Sequence, residues 1–204
     1  MKAKVDEGPV DEDPYCWPGT SCLRNLLGIR DSHELSNAEH ELVGIRTAEI
    51  AASPVPGEYD TAHLQRFHKT MFQDVYDWAG DLRIGNISKG DISFVAADQV
   101  RERLDTMFAK LAQRGHLTTL EWDDYVIGFA GLYGELNAIH PFREGNGRTQ
   151  RAFLRQLAGH AGYGIAWNSL QRRANDQACS KYLRTGRPQA LIRLLAPAIQ
   201  PRYQ

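Results

Sequence analysis

His140-Pro141-Phe142-Arg143-Glu144-Gly145-Asn146-Gly147-Arg148-Thr149-Gln150-Arg151 is the stretch that decides the reading of this chain. An apolar helical segment, Glu121 to Ile139, runs into it, and a second, Thr149 to His160, runs out of it. Pro141 cannot continue the first helix, because it lacks an N–H and clashes with the preceding turn. His140 therefore stands near a helix end, facing whatever the loop binds. Gly145 and Gly147 allow backbone conformations closed to other residues and let N–H groups approach a ligand closely. The next helix starts at about Asn146 or Gly147. Its first N–H groups have no partners within the helix, and its dipole favours an anion there. Arg148 and Arg151 are three apart and share a face of its first turn. Two guanidiniums beside free amides suit a polyphosphate. Glu144 places one carboxylate beside the phosphate site, as expected of a ligand to a divalent cation bridging phosphate oxygens. His140 is then free to take a proton from an attacking hydroxyl. Each residue alone has a plain structural explanation, as a helix-end histidine, a turn glycine or a solvated arginine. In this order they form a phosphate cradle with a general base beside it.

The segment resembles the signature of the Fic (filamentation induced by cAMP) family, His-Pro-Phe-x-(Asp/Glu)-Gly-Asn-(Gly/Lys)-Arg-x-x-Arg, and meets every fixed position. The resemblance implies a mainly α Fic fold, a helical bundle with one β-hairpin flap, and transfer of AMP from ATP to a protein hydroxyl. By the same resemblance His140 is the general base and Phe142 the buried anchor of the loop. Glu144 binds Mg²⁺ on the α- and β-phosphates. Gly145, Asn146 and Gly147 form the anion hole, Arg148 holds the inner phosphates and Arg151 the γ-phosphate, with Arg143 counted among the phosphate-binding residues. The attack is in line at the α-phosphorus and pyrophosphate leaves.

The whole chain sets outer bounds. Its 204 residues suit one domain, with 42% hydrophobic and 24% charged side chains, an ordinary soluble composition. A formal net charge of −1 offers no global field for nucleic acid. No apolar run reaches membrane-span length and no signal-peptide core opens the chain, which points to the cytoplasm. Cys16, Cys22 and Cys179 are too few and too poorly spaced for a disulfide framework or a zinc site, and read as reduced thiols.

Taken in order, residues 1–13 read as a flexible tail before a single domain over residues 14–204. Leu23, Leu26 and Leu27 fit a short helix after a Thr20 or Ser21 cap. The run Tyr15-x-Trp17-Pro18-Gly19-Thr20, followed by Leu23-Arg24-Asn25, resembles the opening of a bacterial Fic subgroup that includes the short FicT-type toxins. Ser36-Asn37-Ala38-Glu39 has the form of a capping box opening a helix to about Ala52. Asp60 or Thr61 caps the next, with Leu64, Phe67, His68, Met71 and Phe72 as its apolar stripe and His68 at the edge of the core. His63 and His68 are badly spaced for a metal.

Residues 83–95 break helical periodicity and read as a β-hairpin, turning at Ser88-Lys89-Gly90-Asp91, the one strand-like piece in the chain. Together with Trp78-Ala79-Gly80-x-x-Arg83 just before it, the hairpin resembles the Fic flap. Ile87, Ser88, Lys89, Gly90 and Asp91 are then expected to hold the target by strand addition. Asp98 opens an amphipathic helix stopped at Gly115. Thr118 and Glu121 read as a second capping box, before a helix apolar nearly all round. Asn168 or Ser169 caps a further helix to about Leu183, and a last one runs from Pro188 to about Ile199. By resemblance Asn175 is the candidate contact for the nucleotide base.

Fic enzymes are often restrained by a helix of pattern (Ser/Thr)-x-x-x-Glu-(Gly/Asn), whose glutamate takes the second signature arginine. Here Glu precedes Gly only at Glu7 and Glu144, and four residues earlier stand Ala3 and His140. The resemblance therefore implies a separate small antitoxin carrying that helix, with its glutamate on Arg151. FicT-type relatives modify the ATPase subunits of DNA gyrase and topoisomerase IV, the target class the subgroup implies. Two alternatives stay open: transfer of a phosphate or another nucleotide on the same fold, and a catalytically idle nucleotide-binding protein.

Overall fold

The structure, a computed structural model, describes residues 13–90 and 92–200. The sequence reading of residues 1–12 as a tail, and of Asp91 in the hairpin turn, falls outside them.

Among the described residues seven α-helices carry the fold: α1 Ser32–Ala52, α2 Thr61–Phe72, α3 Val100–Gln113, α4 Trp122–Ile139, α5 Asn146–His160, α6 Arg172–Thr185 and α7 Gln189–Leu195. The expected helix α4 is central. Tyr125, Val126, Phe129, Leu132, Tyr133 and Leu136 are all buried on it, and it packs against α3, α5, α6 and α7. These helices share the main core, which reaches Phe67 on α2 and Phe153 on α5. A second cluster joins Tyr15, Leu23, Leu35, Val43, Phe72 and Tyr76 and fastens α1 and the N-terminal segment to the end of α2.

Several starts differ from the sequence reading, each for a local reason. Helix α1 begins four residues before the Ser36 box, because the Asp31 side chain accepts from His33 N (2.9 Å) and Glu34 N (2.8 Å). A carboxylate at a helix N-terminus both caps and complements the dipole. No helix forms over residues 20–28. Asn25 closes a loop there, accepting from Leu27 N and Ile29 N and donating to the Leu23 and Ile29 carbonyls, a side-chain competitor to helix bonds. Leu26 and Leu27 are left exposed. Asp60 caps α2 as expected, accepting from His63 N at 2.7 Å. Thr118 does not cap α4, since its hydroxyl donates to Gly115 O and Glu121 is the cap residue. Helix α6 begins at Arg172, because Trp167–Ser169 is a 3-10 turn. Helix α7 stops at Leu195, ahead of a 3-10 turn that contains Pro197.

The hairpin is present but short. Strand β1 Ser88–Lys89 pairs antiparallel with β2 Ile92–Ser93, with Ser88 opposite Ser93 and Lys89 opposite Ile92. Ser88 and Lys89 are thus strand residues rather than turn residues. A second pair, β3 Gly164–Ile165 with β4 Ile199–Gln200, corrects the reading of one strand-like piece. Two-residue strands leave no period-2 pattern to read.

One side chain ties the hairpin to the end of α4. Arg83 is 2% exposed, and its guanidinium donates to His140 O (2.8 Å), Ile139 O (3.2 Å), Gly85 O (2.8 Å) and Val95 O. The last carbonyls of a helix lack intrahelical partners and carry its negative dipole end, so a cation there meets both needs. Backbone bonds run alongside, from Arg83 N to Pro141 O (2.9 Å) and from Val95 N to Ala138 O (3.2 Å).

Arg83→Met keeps the aliphatic bulk and strips those carbonyls of their donor. The expected loss is about 3 kcal/mol or more, from several buried acceptors left unsatisfied, read by urea denaturation. An unchanged midpoint would show that the guanidinium does not hold this junction.

Candidate active site

The signature loop begins where α4 is forced to end. His140 closes the helix in the left-handed region (φ 49, ψ 64), its N–H still bonded to Leu136 O. Left-handed backbone is uncommon for a residue with a side chain. Pro141 and the Arg83 bonds to the carbonyls on either side of the His140 Cα hold it there.

The imidazole of His140 stacks on Phe94 of the hairpin (ring centroids 3.9 Å apart) and places Nδ1 3.2 Å from Asn137 O. A carbonyl can only accept, so Nδ1 carries the proton and Nε2 keeps its lone pair. Burial pushes the pKa of His140 down to about 4. The ring is therefore neutral near pH 7, the form a general base needs.

The loop after it is pinned from both sides. Asn146 Oδ1 accepts from Phe142 N (2.9 Å) and Asn146 Nδ2 donates to Phe142 O (2.7 Å). The Asn146 side chain thus holds the loop, and only its backbone N–H is left for an anion. Phe142 is fully buried and stacks on His68 at 3.9 Å. Gly80 N donates to His68 Nδ1 (2.8 Å), so His68 Nε2–H donates to Glu144 O (3.1 Å). Burial lowers the pKa of His68 to about 4. It is a fully buried neutral strut beneath the loop, deeper than the core-edge position read from the sequence. Gly145 has φ +77, and a Cβ on it would meet the Phe72 ring at 2.2 Å. Gly145 caps α5 without any side-chain hydrogen bond to the first turn. That is the local geometry of an anion site at a helix N-terminus.

The charged residues divide. Arg148 donates to Glu39 Oε1 (2.6 Å), lies 3.3 Å from Glu144 Oε1 and sits over the Phe72 ring at 4.9 Å. Glu39 belongs to α1, is buried, and also accepts from the Tyr76 hydroxyl. Arg151 forms no ion pair among the described residues; a Cβ on Gly147 would meet its guanidinium at 3.2 Å. Arg143 donates to Asp13 through Nε (3.0 Å) and Nη2 (2.6 Å). Partial burial raises the Asp13 pKa, but that bond holds it below the usual carboxylate value. The Arg143 fork is thus committed to the N-terminal segment. Glu144 Oε1 accepts from Gly145 N at 2.8 Å, while its side chain is 44% exposed.

Three cavities meet around these groups. One of about 290 Å³ holds His140 with Lys89, Gly90 and Phe94 of the hairpin and Asn175, Asp176 and Arg184 of α6. One of about 480 Å³ joins Arg151 to Trp167, Arg172 and Asn175. One of about 530 Å³ lies between α1 and α5, with Arg148 and Arg151 at its wall. Asn175 belongs to the first two, and its oxygen accepts from the Tyr133 hydroxyl at 2.9 Å. Lys89 reaches Asp176 at 3.3 Å and bridges hairpin to α6. Ile87 O accepts from Phe94 N at the base of the hairpin.

The structure adds Glu39, Tyr76, His68 and Arg83 to the neighbourhood of the loop. Only Arg83 left a signal in the sequence, in Trp78-Ala79-Gly80-x-x-Arg83. Glu39 is hidden because it lies more than a hundred residues from Arg148 and passes for a helix-surface charge.

Comparison with known proteins agrees with this geometry. The Fic/DOC family model matches residues 58–158. The chain is 37% identical over 178 residues to the Probable protein adenylyltransferase Fic of Escherichia coli K12, covering 87% of this chain and 86% of that protein. It is 39% identical over 183 residues to Protein adenylyltransferase VbhT of Bartonella schoenbuchensis, covering 89% of this chain but 38% of that longer protein. The N-terminal Fic domain of a Bartonella effector protein from Bartonella sp. AR 15-3 superposes with a TM-score of 0.86 at 25% identity, covering 98% of this chain and 95% of that one. A reactive loop pinned by Asn146 and Phe142, the hairpin laid over its histidine and this breadth of likeness have one source: the chain belongs to the Fic/DOC family.

Proposed function

We propose that this chain is a protein adenylyltransferase that moves AMP from ATP to a hydroxyl of another protein. The observation that carries the reading is a neutral His140, with Nε2 unprotonated, in a cavity walled by the hairpin and α6, at the head of the loop that leads into the amide-rich start of α5. The names of the relatives support it. The acceptor oxygen attacks the α-phosphorus and its proton passes to Nε2 of His140. The new O–P bond forms as the bond to the bridging oxygen breaks, and pyrophosphate leaves. The first-turn amides of α5, with Arg148 and Arg151, hold the charge that builds on the phosphates.

Glu144 suits Mg²⁺. It is a single half-exposed carboxylate at the anion site, and no group of three or more His, Cys, Asp or Glu able to hold a metal occurs among the described residues. Mg²⁺ typically takes one or two carboxylates plus phosphate oxygens and water. When bound, it would neutralise phosphate charge. The hairpin residues Ile87 to Asp91 would align the acceptor segment, and Asn175 would meet the nucleotide base.

The finer reading is a toxin restrained by an antitoxin and acting in the cytoplasm on gyrase or topoisomerase IV. Its support is the absence of an inhibitory motif in the sequence, and the groove between α1 and α5. That groove runs past Ile50, Ala51, Pro54 and Ala152 to Arg148 and Arg151, a setting for a helix that presents a glutamate. No helix among the described residues is long and apolar enough to cross a membrane.

Label transfer tests the reaction. With Mg²⁺, ATP labelled at the α-phosphate and bacterial lysate, the chain should label a discrete band that His140→Ala does not. γ-Label in its place would mark phosphate transfer, and ATP binding without label an idle site. Mass spectrometry of the band identifies the acceptor, and a protein other than a type II topoisomerase ATPase subunit rejects that target. A helical Ser-x-x-x-Glu-Gly peptide should suppress labelling; full transfer at saturating peptide rejects the antitoxin reading.

The pH profile tests the base. A lowered histidine pKa means the proton is already absent at pH 6, so kcat/KM should stay flat down to about pH 5 and fall near 4. A limb centred near 6.5 would contradict a buried neutral ring. Stability follows the same sign. With His68 and His140 both held near 4 against an ordinary 6.5, their contribution is full above 6.5 and lost as pH falls toward 4.

Glu39 tests the arginine. Glu39→Ala frees Arg148 from its buried partner, and KM for ATP should rise about tenfold, equivalent to 1.4 kcal/mol, with a smaller change in kcat. Glu39→Gln, which keeps an acceptor for Arg148 and Tyr76, should fall between. Unchanged KM in both would leave Glu39 a purely structural residue.

A further inference from the structure

Helix α6 sorts its side chains sharply by face. Ala178 and Cys179 are buried, and Tyr182 lies so close to α4 that a Cβ on Gly134 would meet its ring at 2.5 Å. The opposite face carries Arg173, Gln177, Lys181 and Arg184, all exposed and spaced i, i+4, i+8 and i+11. Residues 172–187 hold five cations, Arg172, Arg173, Lys181, Arg184 and Arg187, against Asp176, a net of +4. The chain as a whole is −1, so everything outside this stretch sums to −5. Asp176 itself is engaged by Lys89 of the hairpin, a sixth cation on the same side. Residues 172–187 are thus a positive stretch in an otherwise acidic chain, as α5 also is, with Arg148, Arg151 and Arg155 and no acid.

That helix stands beside the reactive histidine. Arg173, Gln177, Lys181 and Arg184 lie along one open surface on its outer side, with Asp176 at its edge. Arg184 also lines the 290 Å³ cavity that contains His140. The basic face therefore begins at the mouth of the acceptor cavity and runs outward along a helix of about 21 Å.

We propose that the outer face of α6 is a docking surface for an acidic segment of the acceptor protein. The inference rests on the protein-modifying reading above. Each exposed ion pair contributes little, but several like charges on one surface raise encounter rates and select partners by sign. The face is continuous with the place where the acceptor hydroxyl must sit, which favours an acceptor protein over a nucleic acid.

The test uses the full chain carrying His140→Ala, so that binding is read without turnover. The probes are fluorescein-labelled 14-residue peptides with a central threonine flanked by glutamates, serines or lysines, and a 14-base-pair DNA duplex. The variant is Arg173→Glu/Lys181→Glu, whose residues lie outside the cavities of His140 and Arg151. Fluorescence anisotropy at low salt should show the glutamate peptide bound about tenfold more tightly than the serine peptide. That preference should weaken with salt and vanish in the variant, with ATP affinity unchanged. Equal affinity for the three peptides, or a preference that survives in the variant, overturns the proposal. So does a duplex that binds more tightly than the glutamate peptide and is lost in the variant. Labelling by the His140-intact chain is scored separately. If no α-label reaches any protein while the acidic peptide still binds α6, the reaction has been misread and the surface has not.

Discussion

A buried cation bonded to carbonyl oxygens, with no carboxylate partner among the described residues, holds the hairpin and the end of α4 in register. Arg83 is almost fully enclosed and gives its protons to four carbonyl oxygens. Two belong to the end of α4, two to the limbs of the hairpin. Burying a charge is unfavourable unless its hydrogen-bonding capacity is met, and this one is met by groups that themselves needed a donor. The arrangement fixes where α4 stops, the backbone of His140 and the seat of the hairpin at once. Phe94 can lie flat on the imidazole because the hairpin limb that carries it is tied to the end of α4 that carries the ring.

The same economy governs the loop. Asn146 spends its amide on both backbone groups of Phe142, which closes the turn and leaves the amides at the start of α5 for a ligand. His68 bridges Gly80 and Glu144 beneath it. Glycine is required at 145 by the Phe72 ring as much as by its left-handed backbone. The cradle's shape is fixed by hydrogen bonds and packing within the chain itself.

What the sequence made legible followed from the range of each interaction. The loop could be read because its logic is local: a proline ends one helix, glycines open the next, and arginines three apart share a turn. Helix α2 was legible from its stripe, α4 from being apolar nearly all round, and the hairpin from a break in periodicity at Gly85 and Gly90. The helix start at Asp31 and the Asn25 loop were misread because two local signals competed, and a side-chain oxygen two to four residues away outweighed leucine spacing. Strands β3 and β4 pair residues more than thirty positions apart, each too short for a pattern. Glu39 and His68 were seen as residues but not in their roles, because their partners are 109 and 76 positions distant.

The contact between Glu39 and Arg148 has a bearing on how this fold can diverge. It makes the first described helix a silent co-author of the signature, since an arginine of the twelve-residue pattern is held by a residue outside it. Lineages that exchange or lose α1 while keeping the twelve-residue loop would inherit the letters of the site without its tuning. A chimera joining α1 of one relative to the loop of another should therefore be judged by the carboxylate that faces Arg148, not by the completeness of the motif.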